Sequence, residues 1–269
     1  MPESSMTFGN PNGWRAVLAA LMLVLLAGCV TPKTQQGAYD PNEALNRHVS
    51  KFNDVVDKLV LSPLSKGYVA ITPKPVRTSV SNFFSNVAYP DTILNDFLQG
   101  KGEQGVGDLG RFVVNSTLGI GGLFDPASSM GLEKHEEDFG QTLAVWGASQ
   151  GAYLVLPVLG PNTARDFPGL AVGTLTNVLF YAGFFLNPAV TISVSALNII
   201  NARTQAQGAY SFRNELAIDP YVFTREGWIQ HRKFLIYDGN PPISFDDEFD
   251  DDFGDGPDTG GKEAPSPAH

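Results

Sequence analysis

Gly147, Ala148, Ser149, Gln150 and Gly151 spell GxSxG, the spacing of a hydrolase elbow that exposes a nucleophilic serine between a strand and a helix. With Ser149 as nucleophile, chain order offers Asp166 or Asp219 and then His231 as partners, the constellation of a serine acyl hydrolase of phospholipase type. Leu143 to Trp146 could supply the strand. Beyond the serine, Gly151, Tyr153 to Leu156, Pro157, Gly160 and Pro161 leave no room for a helix of useful length. His231 lies beside Arg232 and Lys233, opposite the apolar rows of a predicted C-terminal helix, which makes it a solvated side chain. His48 and His135 fall on charged helix faces and His269 is terminal. The motif therefore stands without its context, and the expectation is a protein that is not an enzyme.

Other chemistries find less support. Four scattered histidines and one cysteine give no metal-ligand spacing. No phosphate-cradling loop, dinucleotide fingerprint or basic aromatic stripe is present, so neither a cofactor nor a nucleic-acid partner is expected. Glu133, Glu136, Glu137 and Asp138 cluster beside Lys134 and His135, which reads as a solvated helix start.

The N-terminus carries an address. Arg15 precedes an 11-residue apolar run, Ala16 to Leu26, followed by small residues ending at Cys29. This is a secretory signal over residues 1–28, with an apolar core short of the roughly 20 residues of a membrane span. Cys29 is the only cysteine, so it has no internal disulfide partner. LAGC resembles a bacterial lipobox, and acyl chains on Cys29 would each contribute about 0.8 kcal/mol per buried CH₂ to a membrane anchor. Val30 follows in place of the aspartate that retains lipoproteins at the inner membrane, which by resemblance to that sorting rule favours the outer membrane.

Four segments follow: residues 1–28 as signal, 29–40 as lipidated N-terminus and linker, 41–242 as the folded domain, and 243–269 as an acidic tail. The tail holds nine acids against Lys262 alone, so most of the formal charge of −10 belongs to it. Its low complexity predicts disorder. It does not fit a calcium loop, because the positions counted from Asp250 that require glycine and glutamate are Asp255 and Gly261.

Inside the domain the dominant period is helical. Asp40 and Pro41 read as a helix start, with Leu45, Val49, Phe52, Val56 and Leu59 on one face. Val76, Val80, Phe83 and Val87 mark a second helix closed by Pro90, Asp91 to Leu98 a short third, and Val106, Leu109, Val113 and Thr117 a fourth. Gly119 to Gly131 is loop. Asp219 and Pro220 open a last helix with two rows, Tyr221, Trp228, Leu235 and Val222, Ile229, Ile236. From Phe167 to Ala202, 36 consecutive residues carry no charge. The two apolar pieces within it, Leu170 to Leu186 and Ala189 to Ile200, are short for spanning helices and contain polar residues, which leaves in-plane insertion into a bilayer, burial in the core, or true spanning. The fold class is mainly α.

Five blocks carry a family resemblance: NRHVSKFNDVVD (Asn46 to Asp57), PKPVRTSVSNFFSNVAYPDTILNDFLQG (Pro73 to Gly100), RFVVNSTLGIGGLFDPA (Arg111 to Ala127), EDFGQTLAVWGASQGAYLVLPVLGP (Glu137 to Pro161), and Arg165 with Asp166. In order and spacing they resemble the MlaA, or VacJ, outer-membrane lipoproteins. The resemblance implies one α-helical ring-like domain whose amphipathic helices lie in the inner, periplasmic leaflet of the outer membrane, with a glycine-rich hairpin at a central channel. It implies removal of mislocalised glycerophospholipids from the outer leaflet, transfer to a periplasmic carrier of MlaC type, maintenance of lipid asymmetry, and association with a trimeric porin. The segment from Gly147 to Tyr153 then matches a glycine-rich turn of that hairpin. Phe139, Trp146, Tyr153, Leu154 and Leu156 are expected to line or support the channel, with Gly147 and Gly151 setting its shape. Ala152 stands where a proline is common.

Overall fold

A computed structural model describes residues 39–242 of the chain. The signal, Cys29 and the acidic tail lie outside the described residues.

Eleven helices and one hairpin are seen among the described residues. Helix α1 (Glu43–Val56) passes through a π-helical turn (Asp57–Leu61) into α2 (Ser62–Ile71). Helix α3 (Lys74–Leu98) and helix α4 (Gly102–Thr117) form the most extensive pairing. A single turn, α5 (Pro126–Ser129), and α6 (Phe139–Val145) lead to the hairpin, β1 (Tyr153–Leu156) with β2 (Gly160–Thr163). Helices α7 (Phe167–Thr176), α8 (Val178–Ala182), α9 (Pro188–Gln205), α10 (Gln207–Leu216) and α11 (Pro220–Ile236) complete the chain. Contacts close a circuit: α1 through the π turn to α2, then α9, α3, α6, α11, β2, β1 and back to α1. The mainly helical class holds, and the path is ring-like.

Three expectations change. Pro90 does not end a helix, because α3 runs through it for 25 residues. A proline inside a helix costs about 3 kcal/mol, and the burial of Val87, Tyr89, Thr92, Asn95 and Asp96 around it supplies the tertiary contacts that offset the lost backbone bond. Asp40 does not cap α1, which starts at Glu43; its carboxylate accepts from Asn46 Nδ2 at 2.8 Å and from the Tyr221 hydroxyl, tying the chain start to α11. Leu170 to Leu186 is not one helix: Asn177 leaves helical geometry and its side chain accepts from Leu179 N–H, starting α8.

Burial is inverted relative to an ordinary soluble domain. Only seven hydrophobic residues are buried among those described, against eighteen polar or charged ones. The apolar row that starts on α1 and runs into the π turn faces outward at Leu45, Phe52 and Leu59, whereas Asn46 is buried. Helix α4 repeats the inversion, with Val106, Leu109 and Val113 exposed and Asp108, Arg111 and Asn115 buried. No residue of α7 or α8 is buried, and α9 buries only Asn201 and Arg203. The uncharged stretch is therefore not core, and no described helix is long and apolar enough to cross a membrane.

Candidate functional site

The GxSxG stretch joins α6 to β1. Asp138 starts α6 by accepting from Gln141 N–H at 3.0 Å, so Leu143 to Val145 is helix where a strand could have been expected. The order around Ser149 is helix, serine, strand, the reverse of what a nucleophile elbow requires. Ser149 is exposed. Both acids that chain order offered it are committed elsewhere. Asp166 accepts from Thr163 Oγ1 at 2.8 Å and from Arg165 and Arg232. Asp219 caps α11 and pairs with Arg47 at 2.8 Å. His231 is exposed, as its place opposite the apolar rows predicts.

The glycines do backbone work. Gly147 and Gly151 have φ of 90° and 68°, the left-handed region, and a Cβ on Gly151 would come within 2.9 Å of the Ala164 Cβ. They bend the approach to the hairpin. The turn itself is Pro157 to Leu159, so the expected assignment of Gly147 to Tyr153 as the turn is corrected: Tyr153 already pairs with Thr163 in the ladder. The turn has Val158 at φ 67° and presents Val158 and Leu159 to the outside.

Alternation along β1 separates two faces. Tyr153, at 1% exposure, and Val155 are buried against Tyr221, with Val49, Val222, Trp228 and Ile229 packed around them. The Tyr153 ring stands edge-on to Tyr221 and Trp228 at 6.3 and 6.2 Å, and burial pushes its phenol pKa up. Leu154 and Leu156 occupy the other, half-buried face. Of the expected channel residues, Tyr153 thus belongs to the hairpin's core. Phe139 and Trp146 meet edge-on at 6.1 Å, with Trp146 exposed and its indole N–H donating to Leu98 O at 3.0 Å.

Two asparagines of α1 finish the free edge of β1. Asn46 donates to Tyr153 O at 3.0 Å and accepts from Val155 N–H at 2.9 Å. One heptad on, Asn53 donates to Leu156 O at 3.0 Å and accepts from Val158 N–H at 2.7 Å. An open strand edge offers unpaired backbone groups, and these amides pair them. The seven-residue spacing was in the sequence, but nothing local said that a strand edge would lie beside it.

A buried ion network fixes the hairpin's far end. Arg232 bonds Asp138 through both terminal nitrogens, at 2.5 and 3.0 Å, and reaches Asp166 at 3.1 Å. Burial disfavours the charge of Asp138, yet Arg232 holds that carboxyl below its ordinary range. Helix α6, the end of β2 and α11 meet there. The expected solvated helix start at Glu133 to Asp138 is also revised. His135 sits in an irregular segment and bonds Asp108 at 3.0 Å, and Glu137 is buried, accepting from Lys101 at 2.8 Å and Gln99 at 2.9 Å.

The pattern of the family described as MlaA lipoprotein matches residues 38–235. This chain belongs to the MlaA lipoprotein family. It is 34% identical over 225 residues to a Shigella flexneri protein named intermembrane phospholipid transport system lipoprotein MlaA, covering 82% of this chain and 88% of that one. The Escherichia coli protein of the same name is 33% identical over the same shares. An uncharacterized Rickettsia typhi protein is 38% identical, over 74% and 78% of the two chains. A solved structure described as the structural basis for maintenance of bacterial outer membrane lipid asymmetry superposes with a TM-score of 0.64 at 32% identity, over 73% of this chain and 98% of that one. The five blocks of the sequence all lie inside the matched region, and the solved structure shares the fold found here.

Proposed function

We propose that this chain is an outer-membrane lipoprotein, processed after residues 1–28 and held by acyl chains on Cys29. In this reading its domain, residues 41–242, takes mislocalised glycerophospholipids from the outer leaflet through an amphipathic passage and passes them to a periplasmic carrier of MlaC type. No bond in the lipid is cleaved. The tail, residues 243–269, stays outside this work.

One observation carries the reading beyond kinship: the buried side chains are mostly polar and the exposed ones include a large share of the apolar residues. Apolar surface loses about 25 cal/mol per Å² when left in water. Phe185 at 91% exposure and Ile192 at 69% belong to an apolar surface of the kind that a membrane or a protein partner covers. This supports a domain seated in the inner leaflet of the outer membrane, with α7, α8 and α9 lying in the plane of the lipid. A phospholipid headgroup is costly to drag through hydrocarbon, and a passage that offers it water and polar groups while its tails stay against apolar walls lowers that cost. Leu154, Leu156, Phe139 and Trp146 supply such walls, Tyr153 supports them from behind, and Gly147 with Gly151 sets the bends that carry them. A trimeric porin is the neighbour expected from kinship.

The test is surface phospholipid in cells lacking the gene and complemented with wild type, Ser149→Ala or Leu154→Asp at equal outer-membrane abundance. Restoration by Ser149→Ala and failure of Leu154→Asp is the expected pair. Loss of function in Ser149→Ala, with fatty acid release also lost, would restore the hydrolase. Full function of Leu154→Asp would reduce the protein to a scaffold beside its porin.

A further inference from the structure

Between α3 and α4 lie two carboxyls with no exposed surface, Asp96 and Asp108, each at 0%. Asp108 is well supplied with donors: the Tyr89 hydroxyl at 2.5 Å on one oxygen and His135 Nδ1 at 3.0 Å on the other. On Asp96, Gln104 Nε2 donates to Oδ1 at 2.7 Å, while Oδ2 is buried without a donor. Asp108 lies one helical turn beyond Gln104 and Gly105 on the face of α4 that meets Asp96, where a Cβ at Gly105 would come within 3.1 Å of Asp96 Cβ. Two carboxylates cannot bond each other unless one of them carries a proton.

We propose that Asp96 keeps a proton that it donates to Asp108, forming a pH-sensitive clasp that ties α3 and α4 to the irregular segment 132–138, closed while Asp96 is protonated and loosened once it ionises. Several charged groups face the pair. Glu137, from the segment, adds a third carboxylate and is held by Lys101, which also pairs with Asp238 beyond α11 at 2.5 Å. Arg111, one turn along α4 from Asp108, is occupied by Asp125 and by Leu132 O at 2.7 Å. Glu133 stands 3.8 Å from His135 on its outer side. Lys101 and Arg111 are thus engaged elsewhere, and His135, cationic only when protonated, is the basic group in contact with Asp108. Burial first, and then the hydrogen bond and charge of Asp108, push Asp96 up to about 7, against the opposing bond from Gln104. Gln104 and His135, which bond the pair, also line an open basin with Lys101 and Glu133, giving water a route to the proton.

The sign follows from which state binds the proton more tightly. In the closed state Asp96 holds its proton up to about pH 7, whereas an opened carboxyl releases it near its ordinary range, so closure is favoured below that range and lost as pH rises through about 7. Segment 132–138 runs directly into α6, whose first cap is Asp138 of the Arg232 network, so loosening reaches the approach to the hairpin.

The experiment is backbone hydrogen exchange of the purified full chain in detergent at pH 6 and pH 8, corrected for intrinsic exchange. Protection of 132–138 and α4 should fall about tenfold in wild type, the size that one titrating unit gives, and stay level in Asp96→Asn, whose amide donates to Asp108 in place of the proton. Equal wild-type protection at both pH values, or the same fall in Asp96→Asn, overturns the proposal. Should Asp96→Asn fail to fold, infrared spectra of an Asp91→Asn protein decide: a protonated-carboxyl band at pH 6 that vanishes by pH 8 supports the clasp, and its absence at pH 6 rejects it.

Discussion

Helices α4 and α11 are nearly equal in length, 16 and 17 residues, and each carries an apolar row. In α11 the row turns inward: Tyr221 is buried and Trp228 and Ile229 pack on the hairpin. In α4 the row turns outward, and what it buries is Asp108, Arg111 and Asn115. A stripe at helical period states that a helix has two unlike faces. It does not state which face is inside, because that depends on what the outside is made of.

Opposite mutational responses follow from the contrast. The largest effect is expected from Arg232→Leu, which leaves Asp138 without its buried cation and Asp166 with Arg165 alone. The unfolding free energy in detergent should drop by about 3 kcal/mol, the low end for a broken buried pair since Asp138 is partly exposed. Trp228→Ala comes next, removing the half-buried ring that braces Tyr153, at about 2–3 kcal/mol. A loss no larger than that of an exposed residue would show that α11 is not the inward helix.

A smaller effect is tied to pH. Burial pushes Asp91 up to about 6, despite the Thr176 hydroxyl that bonds it at 3.1 Å. The folded chain holds that proton more tightly than the unfolded one, so this contribution to stability is present at low pH and is lost as pH rises through about 6. Asp91→Asn should flatten the unfolding midpoint between pH 4.5 and 6.5 by an amount worth about 1 kcal/mol, discounted for partial exposure.

Least of all in stability, Val106→Asp on the outward row of α4 should change unfolding in detergent by no more than about 0.5 kcal/mol. Its effect is expected in flotation with phospholipid vesicles, where it should bind less than wild type. A large destabilisation in detergent would mean that the outward row of α4 packs on protein after all.

Much of the helix inventory was legible. The rows of α1, α4 and α11 fixed their existence, and the Asp219 cap with Pro220 set the start of α11. Pro90 misled because local rules price a proline without the packing that surrounds it. The candidate site was half legible. Gly147 and Gly151 announced special backbone geometry, but GxSxG spells the same way whether a strand or a helix precedes it, and only the Asp138 cap of α6 decides.

By itself the sequence determined that the chain is mainly helical, that its charge lies mostly in a tail, that 36 residues go without a charge, and that five blocks follow the MlaA pattern. Those are properties of residue type and spacing along one dimension. The tertiary structure decided which way each amphipathic face points, that Asn46 and Asn53 complete a strand edge, and that Arg232, Asp138 and Asp166 converge from three elements. The physical reason is that periodicity records only contrast between faces, whereas the side that is buried, and the partner that a buried polar group finds, are set by residues elsewhere in the chain, 107 positions away for Asn46 and Tyr153 and 66 for Arg232 and Asp166.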